Sequence, residues 1–166
     1  MRKALFLDRD GVINIDHGYV YRIEDFQLTE GVALLCARAL ELGYKIIVAT
    51  NQSGIARGYY SEEDFALLTA HMIKEFKKYK VVITDVFYCP LLESEDRKPS
   101  PGMFLKAMVK YDIDMKASVS VGDKERDIEA AARAGVGRNY LLSPQSRGSS
   151  KATKAVRNLL EVATIL

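Results

Sequence analysis

The sequence predicts an α/β fold in which helices cover both faces of a central parallel sheet, giving three layers. Short apolar runs alternate along the chain with longer segments of helical periodicity, and polar residues follow several of these runs. Such alternation is typical of βαβ units, whose strands pair in parallel and are buried on both faces. Ligands of these sheets bind at the carboxyl ends of the strands, which is where we expect a functional site.

Five short apolar runs are predicted as strands. They are residues 4–7, 45–49, 81–88, 118–121 and 139–142. The first run ends at Asp8 and the second at Thr50, so each places a polar group at its carboxyl end. Asp85 interrupts the third run, and Gly122 follows the fourth.

Five segments with apolar residues at helical spacing are predicted as helices. They are residues 31–42, 61–79, 102–110, 124–134 and about 152–163. Gly43 marks the end of the first helix. Ser61 and Asp64 form a variant of the capping box at the start of the second, and Pro101 suits the entry to the third.

The C-terminal part of the chain is predicted as a loop and a closing helix. Residues 143–150 are rich in Ser and Gly, which favours the loop. Three basic residues follow it and are predicted to form a solvated face of the closing helix: Lys151, Lys154 and Arg157.

Length, composition and charge bound the class of protein. The 166 residues suit one domain, residues 1–166, and 48% hydrophobic with 28% charged residues is ordinary for a globular protein. A net charge of +2 provides no basic field for nucleic acid or an anionic membrane. The N-terminal apolar run is too short for a signal peptide, and no stretch approaches the ~18 apolar residues that span a bilayer. We therefore expect a cytoplasmic protein without nucleic-acid or membrane partners.

Two carboxylates, Asp8 and Asp10, follow the first predicted strand and precede Gly11. A carboxylate is a competent nucleophile toward phosphorus, but a phosphate dianion repels it, so such a site needs positive charge. Mg²⁺ prefers oxygen ligands, and Asp8 and Asp123 are the candidate carboxylates, with Lys98 as an additional cation. Taken alone, the Asp-x-Asp-Gly pattern is more typical of a solvated turn.

Polar clusters in a fixed order favour catalysis over a set of turns. They are Asp8-Arg9-Asp10, Thr50-Asn51, Arg97-Lys98 and Gly122-Asp123. Thr50 offers a hydroxyl and Asn51 an amide to phosphate oxygens. Asp10 is then suited to protonate the leaving oxygen and later to take a proton from water.

These motifs resemble those of the haloacid dehalogenase superfamily. More narrowly, they are similar to its branch of D-glycero-D-manno-heptose 1,7-bisphosphate 7-phosphatases and histidinol-phosphate phosphatases. Residues 16–20 and 50–58 are most similar to the heptose enzymes, and the resemblance spans about residues 3–142. It implies a Rossmann-like three-layer sandwich with a central parallel sheet. No cap domain is expected, because the segments between the motifs are short or filled by predicted helix and strand.

The resemblance also implies roles for individual residues. Asp8 would be the nucleophile, Asp10 the general acid and base, and Thr50 and Lys98 would stabilise the phosphoryl group. The Mg²⁺ ligands would be Asp8, the backbone carbonyl of Asp10, and Asp123. The residues that bind a small sugar phosphate would be Asp16, His17, Gly18, Tyr19, Thr50, Asn51, Gln52, Ser53, Arg57, Arg97, Lys98 and Lys124. A small domain without a cap is expected to be a monomer.

Other interpretations stay open for three of the polar residues. His17 either contacts substrate or is a solvated loop side chain, and Arg57 either meets a second phosphate or is a surface cation. Asp127 either orients Lys124 and supports the metal or is a surface acid of the helix.

The loop before Arg97 departs from the family pattern. Many members of this branch hold zinc there with Cys-x-His and Cys-x-Cys ligands, whereas this loop keeps one cysteine, Cys89. Because a structural zinc site needs four nitrogen or sulfur ligands, we predict no zinc. Packing of Leu91 and Leu92 is expected to order the loop instead.

Three alternatives to a heptose bisphosphatase remain at this point. A histidinol-phosphate phosphatase would need an acidic surface for its cationic substrate, whereas Arg57, Arg97 and Lys124 favour an anionic one. A non-catalytic module that binds phosphorylated ligands conflicts with the intact acidic and basic motifs. A polynucleotide 3′-phosphatase has little support from the nearly neutral charge.

Overall fold

The computed structural model describes residues 1–143 and 151–166, and these form one parallel sheet with helices on both of its faces. The strands are β1 (Lys3–Leu7), β2 (Tyr44–Asn51), β3 (Asp85–Cys89), β4 (Val119–Gly122), β5 (Arg138–Leu142) and β6 (Lys154–Val156). The helices are α1 (Val32–Glu41), α2 (Glu62–Lys77), α3 (Gly102–Tyr111), α4 (Glu125–Arg133) and α5 (Leu159–Ile165), with a short 3₁₀ turn at Ile23–Asp25.

The strand order within the described residues is β3-β2-β1-β4-β5-β6, with every neighbouring pair parallel. The chain proceeds outward from β1 to β3 and then returns to the other side of β1, so the order reverses between β1 and β4. In register, Leu7 of β1 lies beside Val48 of β2 and Val121 of β4. The residues that follow these three strands therefore meet at one edge, at the topological switch point.

Alternation along the strands divides the core into two layers. Leu5 and Leu7 face a cluster that includes Leu35 of α1, Phe76 of α2 and Val162 of α5. The intervening residues Ala4 and Phe6 face the opposite cluster, which α3 and α4 supply. The predicted three-layer arrangement is confirmed.

The closing segment differs from the predicted helix at residues 152–163. Residues 154–156 instead form β6, which pairs with β5 through Tyr140↔Lys154 and Leu142↔Val156. The reason is pairing with β5 together with burial, since Val156 at the end of the strand is fully buried against the core, while Lys154 at its start is exposed. The helix starts later, where the Asn158 side chain caps it by accepting from the Glu161 backbone N–H.

The basic residues of that segment are therefore not a helix face. Lys154 lies on the edge strand, while Lys151 and Arg157 lie outside the helix, although all three are exposed. Of the predicted loop at 143–150, Ser143 is described and donates its N–H to Val156. The remainder of that prediction, residues 144–150, lies outside the described residues.

The third strand is shorter than predicted and begins at Asp85 rather than at Val81. Asp85 does not interrupt a strand. Its carboxylate lies at the strand start and accepts hydrogen bonds from Lys110 and Tyr111 of α3. The residues before Asp85 lie outside the sheet, with Val82 66% exposed and Val81 packed in the core.

The connections at the carboxyl edge of the sheet carry no cap domain in the part of the chain that the structure describes. They are loops at residues 8–31, 52–61 and 90–101, with the 3₁₀ turn in the first. Within the described ranges, no helix has the length and apolar character to cross a bilayer.

Replacing Ser118 by alanine should destabilise the fold without involving the site. Its buried hydroxyl accepts from the Ala4 N–H at 2.9 Å and donates to the Asp114 carbonyl at 2.6 Å, joining β1 to the segment before β4. Loss of both bonds should cost about 1–3 kcal/mol and lower Tm by roughly 3–10 °C in thermal unfolding. Ser100→Ala, whose hydroxyl has no hydrogen bond among the described residues, is the control. An equal Tm for the two variants would contradict the prediction.

Candidate active site

The polar side chains at the carboxyl edge surround a pocket of about 230 Å³. Most of the predicted site residues line it: Asp8, Asp10, Asp16, Tyr19, Asn51, Gln52, Ser53, Arg57, Arg97, Lys98 and Lys124. Tyr60, Arg126 and Asp127 complete the lining. Thr50, which is buried, and Asp123, which lies beside Gly11, are not among the residues that line this pocket. His17 and Gly18 are exposed and do not line the pocket.

Lys98 lies at the centre of the pocket floor with a side chain that is almost completely buried. Its Nζ is 2.9 Å from Asp8 Oδ1 and 2.6 Å from Asp127 Oδ1, and it donates to the Ala49 carbonyl at 2.8 Å. Burial alone would lower the pKa of Lys98, but Asp127 and Asp8 together raise it. The ammonium group is therefore held in its charged form, with all three of its donors used.

Asp127 is buried at the start of α4, so it is not a surface acid. Besides Lys98, its carboxylate accepts from the Lys124 backbone N–H at 3.1 Å, which closes the first turn of the helix. Gly122 makes this approach possible, because a Cβ there would lie 2.2 Å from the Asp127 Cβ. The Gly-Asp-Lys motif therefore serves to bring the helix close to the end of β4.

Three carboxylates crowd together beside Lys98. Oxygen atoms of Asp8, Asp123 and Asp127 all lie within 4.8 Å of one another. Burial raises the pKa of Asp8 well above its usual value, and Asp127 adds to this while Lys98 opposes it. Burial also raises the pKa of Asp123, again with a contribution from Asp127. One ammonium does not balance three carboxylates, so the cluster favours uptake of further positive charge.

The donor set fits a magnesium ion. Asp123 Oδ1 is buried and makes no hydrogen bond within the described residues, as expected of an oxygen reserved for a ligand. Gly11 leaves room for this carboxylate, because a Cβ at that position would lie 2.2 Å from Asp123 Oδ2. The candidate ligands are carboxylate oxygens, which suit a hard divalent cation.

Asp10 has surroundings quite different from those of Asp8. Its Oδ1 accepts from Arg9 Nη2 at 2.9 Å and from Asn14 Nδ2 at 3.1 Å, and its Oδ2 accepts from Gln52 Nε2 at 3.1 Å. Arg9 is 1% exposed, and the same Nη2 donates to the Val20 carbonyl at 2.6 Å. Arg9 thereby connects the Asp10 carboxylate to the end of the loop that carries Asp16 and Tyr19.

Gln52 connects Asp10 to a residue that the sequence analysis missed. Its Nε2 donates to Thr50 Oγ1 at 3.0 Å as well as to Asp10, and its Oε1 accepts from the Tyr60 hydroxyl. Burial raises the pKa of Tyr60 to about 12. An aromatic residue before a helix cap is an ordinary feature, so no local signal identified Tyr60 as part of the pocket.

Asn51 holds the loop that delivers Lys98. Its Nδ2 donates to the Lys98 carbonyl at 3.0 Å, and its Oδ1 accepts from the Lys98 N–H at 2.9 Å. This reciprocal pair joins the end of β2 to the backbone of the lysine. The structure thus gives Asn51 a positioning contact that the sequence did not indicate.

The expectation that Leu91 and Leu92 order this loop is wrong, because they are 52% and 46% exposed. Backbone hydrogen bonds order it instead, from Gln52 to Cys89, from Ala56 to Pro90 and from Gly102 to Glu95. Cys89 is buried, and its thiol lies 3.8 Å from the Leu91 carbonyl oxygen. Main-chain hydrogen bonds therefore hold the loop against the rest of the pocket, and the exposed side chains of Leu91 and Leu92 take no part in them.

The pocket mouth carries an excess of positive charge. Four cationic side chains line it: Arg57, Arg97, Lys124 and Arg126. Among the described residues, none of the four forms an ion pair, and the Arg97 side chain donates only to the Leu91 carbonyl at 3.4 Å. Arg126 was not predicted, since a basic residue in the first turn of α4 reads as a surface side chain. The mouth is therefore suited to an anionic ligand.

A parallel α/β sheet with two aspartates after its first strand, a buried lysine beside Asp8 and a carboxylate cluster is typical of a class of hydrolases. The chain belongs to the haloacid dehalogenase-like hydrolases, whose family model matches residues 2–135. The resemblance seen in the sequence motifs is thereby confirmed.

Relatives of known name cover nearly the whole chain. A Campylobacter jejuni protein named D-glycero-alpha-D-manno-heptose-1,7-bisphosphate 7-phosphatase is 47% identical over 161 residues, which are 96% of this chain and 93% of that protein. A Vibrio cholerae protein named for the beta form of the same compound is 43% identical over 175 residues, covering 97% and 94%.

A solved structure shows the same architecture. It is the D,D-heptose 1,7-bisphosphate phosphatase of B. bronchiseptica complexed with magnesium and phosphate, with 29% sequence identity and a TM-score of 0.88. The similarity covers 98% of this chain and 97% of that one. With the family and these relatives, the chain is a phosphoric monoester hydrolase.

Magnesium should stabilise the folded protein through the carboxylate cluster. At a concentration ~100 times its Kd, a ligand adds about 2.7 kcal/mol, so Tm should rise by roughly 5–10 °C. Asp123→Asn should lose most of this rise, whereas Asp112→Asn should keep it, because Asp112 is an exposed residue at the end of α3. Differential scanning calorimetry with and without Mg²⁺ measures the shift.

The rise in Tm caused by Mg²⁺ should depend on pH. Because the folded protein raises the pKa of Asp8 and Asp123, it binds protons more tightly than the unfolded chain. Without metal, their contribution to stability is present at low pH and lost as pH rises through the raised values. The Mg²⁺ effect should therefore be larger near about pH 7.5 than near about pH 5. A Mg²⁺-induced rise in Tm that is equal at both pH values would contradict this prediction. An equal rise in Asp123→Asn and in wild type would contradict the placement of the metal at the carboxylate cluster.

Proposed function

We propose that this protein is a Mg²⁺-dependent phosphatase that removes the C7 phosphate of D-glycero-D-manno-heptose 1,7-bisphosphate through an aspartyl-phosphate intermediate. The observation that carries the proposal is the placement of Asp8 against Lys98 in a pocket whose mouth is lined by unpaired cations. The Asp8 carboxylate beside the Lys98 ammonium suits transfer of a phosphoryl group, and the cationic mouth suits a second anionic group. The names of the relatives support the same substrate.

In the first step, Asp8 attacks phosphorus and the bond to the C7 oxygen breaks. Asp10 gives its proton to that oxygen, so the sugar leaves as an alcohol and the phosphoryl group stays on Asp8. In the second step, Asp10 takes a proton from water, the water oxygen attacks the aspartyl phosphate, and inorganic phosphate leaves. Asp8 is regenerated as a carboxylate, and Asp10 regains its proton.

The remaining groups of the floor balance charge. Lys98 lies against Asp8 and would supply the positive charge that a transferred phosphoryl group requires, assisted by the Thr50 hydroxyl. Asp8, Asp123 and the backbone carbonyl of Asp10 would hold Mg²⁺, which when bound offsets the repulsion between the nucleophile and the phosphate. Asp127 keeps Lys98 in place. Absence of a zinc site around Cys89 stays a prediction.

The mouth of the pocket would select the substrate. Arg57, Arg97, Lys124 and Arg126 favour the second phosphate of a bisphosphate over the cationic side chain of histidinol phosphate. Asp16, Tyr19 and Ser53 also line the pocket and would meet the hydroxyls of the sugar. His17 contributes less, because it lies outside the pocket lining.

The product would be the heptose 1-phosphate, on the way to nucleotide-activated heptose for lipopolysaccharide core, capsule or surface-layer glycans. We expect residues 1–166 to act as one monomeric domain in the cytoplasm, without nucleic-acid or membrane partners.

Asp8→Asn should abolish turnover while leaving the fold intact. The amide oxygen is a much poorer nucleophile than the carboxylate, so kcat should fall by at least about 10³-fold. Phosphate release from heptose 1,7-bisphosphate with Mg²⁺ gives the rate, and circular dichroism reports the fold. Asp112→Asn is the matched control and should keep the wild-type rate. Activity of Asp8→Asn near that of wild type would exclude the covalent mechanism.

Substrate preference should follow the charge of the mouth. Wild type should release phosphate from both anomers of heptose 1,7-bisphosphate faster than from histidinol phosphate. Arg97→Ala should raise KM for the bisphosphate by about 10-fold, the size of a lost charge-assisted hydrogen bond, and change KM for p-nitrophenyl phosphate by less than about 2-fold.

The control for this comparison is Arg133→Ala, which removes an arginine of α4 whose partner is Glu129 at 2.7 Å, away from the pocket. It should leave both KM values unchanged. Faster hydrolysis of histidinol phosphate would transfer the proposal to that substrate. Failure of every substrate with Mg²⁺ would instead favour a module that binds phosphorylated ligands without turnover.

A further inference from the structure

We infer that Tyr60 is a positioning residue for the acid and base Asp10, and that it acts through Gln52. This inference rests on the proposed phosphatase mechanism and adds to it a residue that the sequence motifs do not contain. Tyr60 does not touch the Asp10 carboxylate. Its hydroxyl donates to Gln52 Oε1, and Gln52 Nε2 donates in turn to Asp10 Oδ2.

The Gln52 carboxamide needs a partner that fixes its direction. Its two ends have nearly the same shape, but only the nitrogen can donate to the carboxylate of Asp10. A hydroxyl that donates to Oε1 holds the nitrogen end toward Asp10 and Thr50. If the amide turned over, its oxygen would face the Asp10 carboxylate, and two acceptors would meet in a buried place. Tyr60 therefore favours the productive orientation.

Tyr60 is itself firmly held. Its ring stacks on Tyr21 with centroids 5.3 Å apart and planes 9° apart, and it is 7% exposed. A Cβ at Gly54 would lie 2.2 Å from the Tyr60 ring, so the loop after β2 packs directly against it. Burial keeps the phenol protonated at neutral pH, because it raises the pKa to about 12. The hydroxyl is thus a fixed donor.

The hydrogen bond between Tyr60 and Gln52 should affect proton transfer by Asp10. An acid must keep hydrogen-bond geometry to the leaving oxygen, and a small misplacement of its carboxyl group slows the transfer. Leaving groups differ in their need for that proton. An alkoxide of a sugar leaves poorly unless protonated, whereas p-nitrophenolate is stable as an anion. Loss of the Tyr60 hydroxyl should therefore affect the sugar phosphate more than the aryl phosphate.

The experiment compares kcat/KM of Tyr60→Phe and wild type with Mg²⁺ on heptose 1,7-bisphosphate and on p-nitrophenyl phosphate. We expect a loss of about 3- to 10-fold on the sugar phosphate and less than about 2-fold on the aryl phosphate. Tyr21→Phe removes the hydroxyl of the stacked neighbour and should match wild type on both substrates. Thermal unfolding of each variant verifies that the fold is kept.

A second variant tests the route through Gln52. If Tyr60 acts on Asp10 only by orienting that amide, then adding Tyr60→Phe to Gln52→Ala should lower kcat/KM no further, within about 1.5-fold. Independent, multiplying losses would overturn the inference, as would an equal loss of Tyr60→Phe on both substrates. If wild type hydrolyses the substrates and Tyr60→Phe has the same kcat/KM, the inference about Tyr60 is wrong but the proposed function stands. Wild type that hydrolyses neither substrate defeats the proposed function as well.

Discussion

The burial of one ammonium group, Lys98 Nζ, constrains the rest of the site. A lysine removed from water is tolerated only when its charge and donors are matched, and here Asp8, Asp127 and the Ala49 carbonyl match them. These partners come from the end of β1, the start of α4 and the end of β2. The lysine arrives on a fourth segment, which Asn51 holds by its main chain. Four pieces of chain distant in sequence are thereby fixed around one atom.

The same arrangement leaves the site with more negative than positive charge, and this excess favours the binding of a cation. Lys98 neutralises part of the charge of Asp8, Asp123 and Asp127, yet the pKa values of Asp8 and Asp123 stay raised because burial and mutual repulsion prevail. Such a cluster lowers the stability of the folded protein, and clusters of this kind are therefore typical of functional sites. In the proposed mechanism, a divalent cation would supply the positive charge that this cluster lacks.

Features set by local pattern were predictable from the sequence, and features set by tertiary contact were not. Asp8 and Asp123 follow apolar strands directly, and parallel pairing brings such positions together whatever lies between them. β6 was mistaken for helix because three residues carry too short a pattern, and pairing with β5 decided its form. Tyr60 enters the pocket through a contact with Gln52, eight residues away in sequence, which no periodicity reveals.

The different roles that we propose for Asp8 and Asp10 follow from their neighbours, since the side chains are chemically identical. Asp8 faces a lysine and two other carboxylates, an environment that collects cations and suits attack on phosphorus. Asp10 is surrounded by donors, from Arg9, Asn14 and Gln52, which fix the direction of its carboxylate. A nucleophile needs charge compensation, whereas an acid and base needs orientation. The Asp-x-Asp-Gly turn provides both because it points one carboxylate at the sheet edge and the other at the loops.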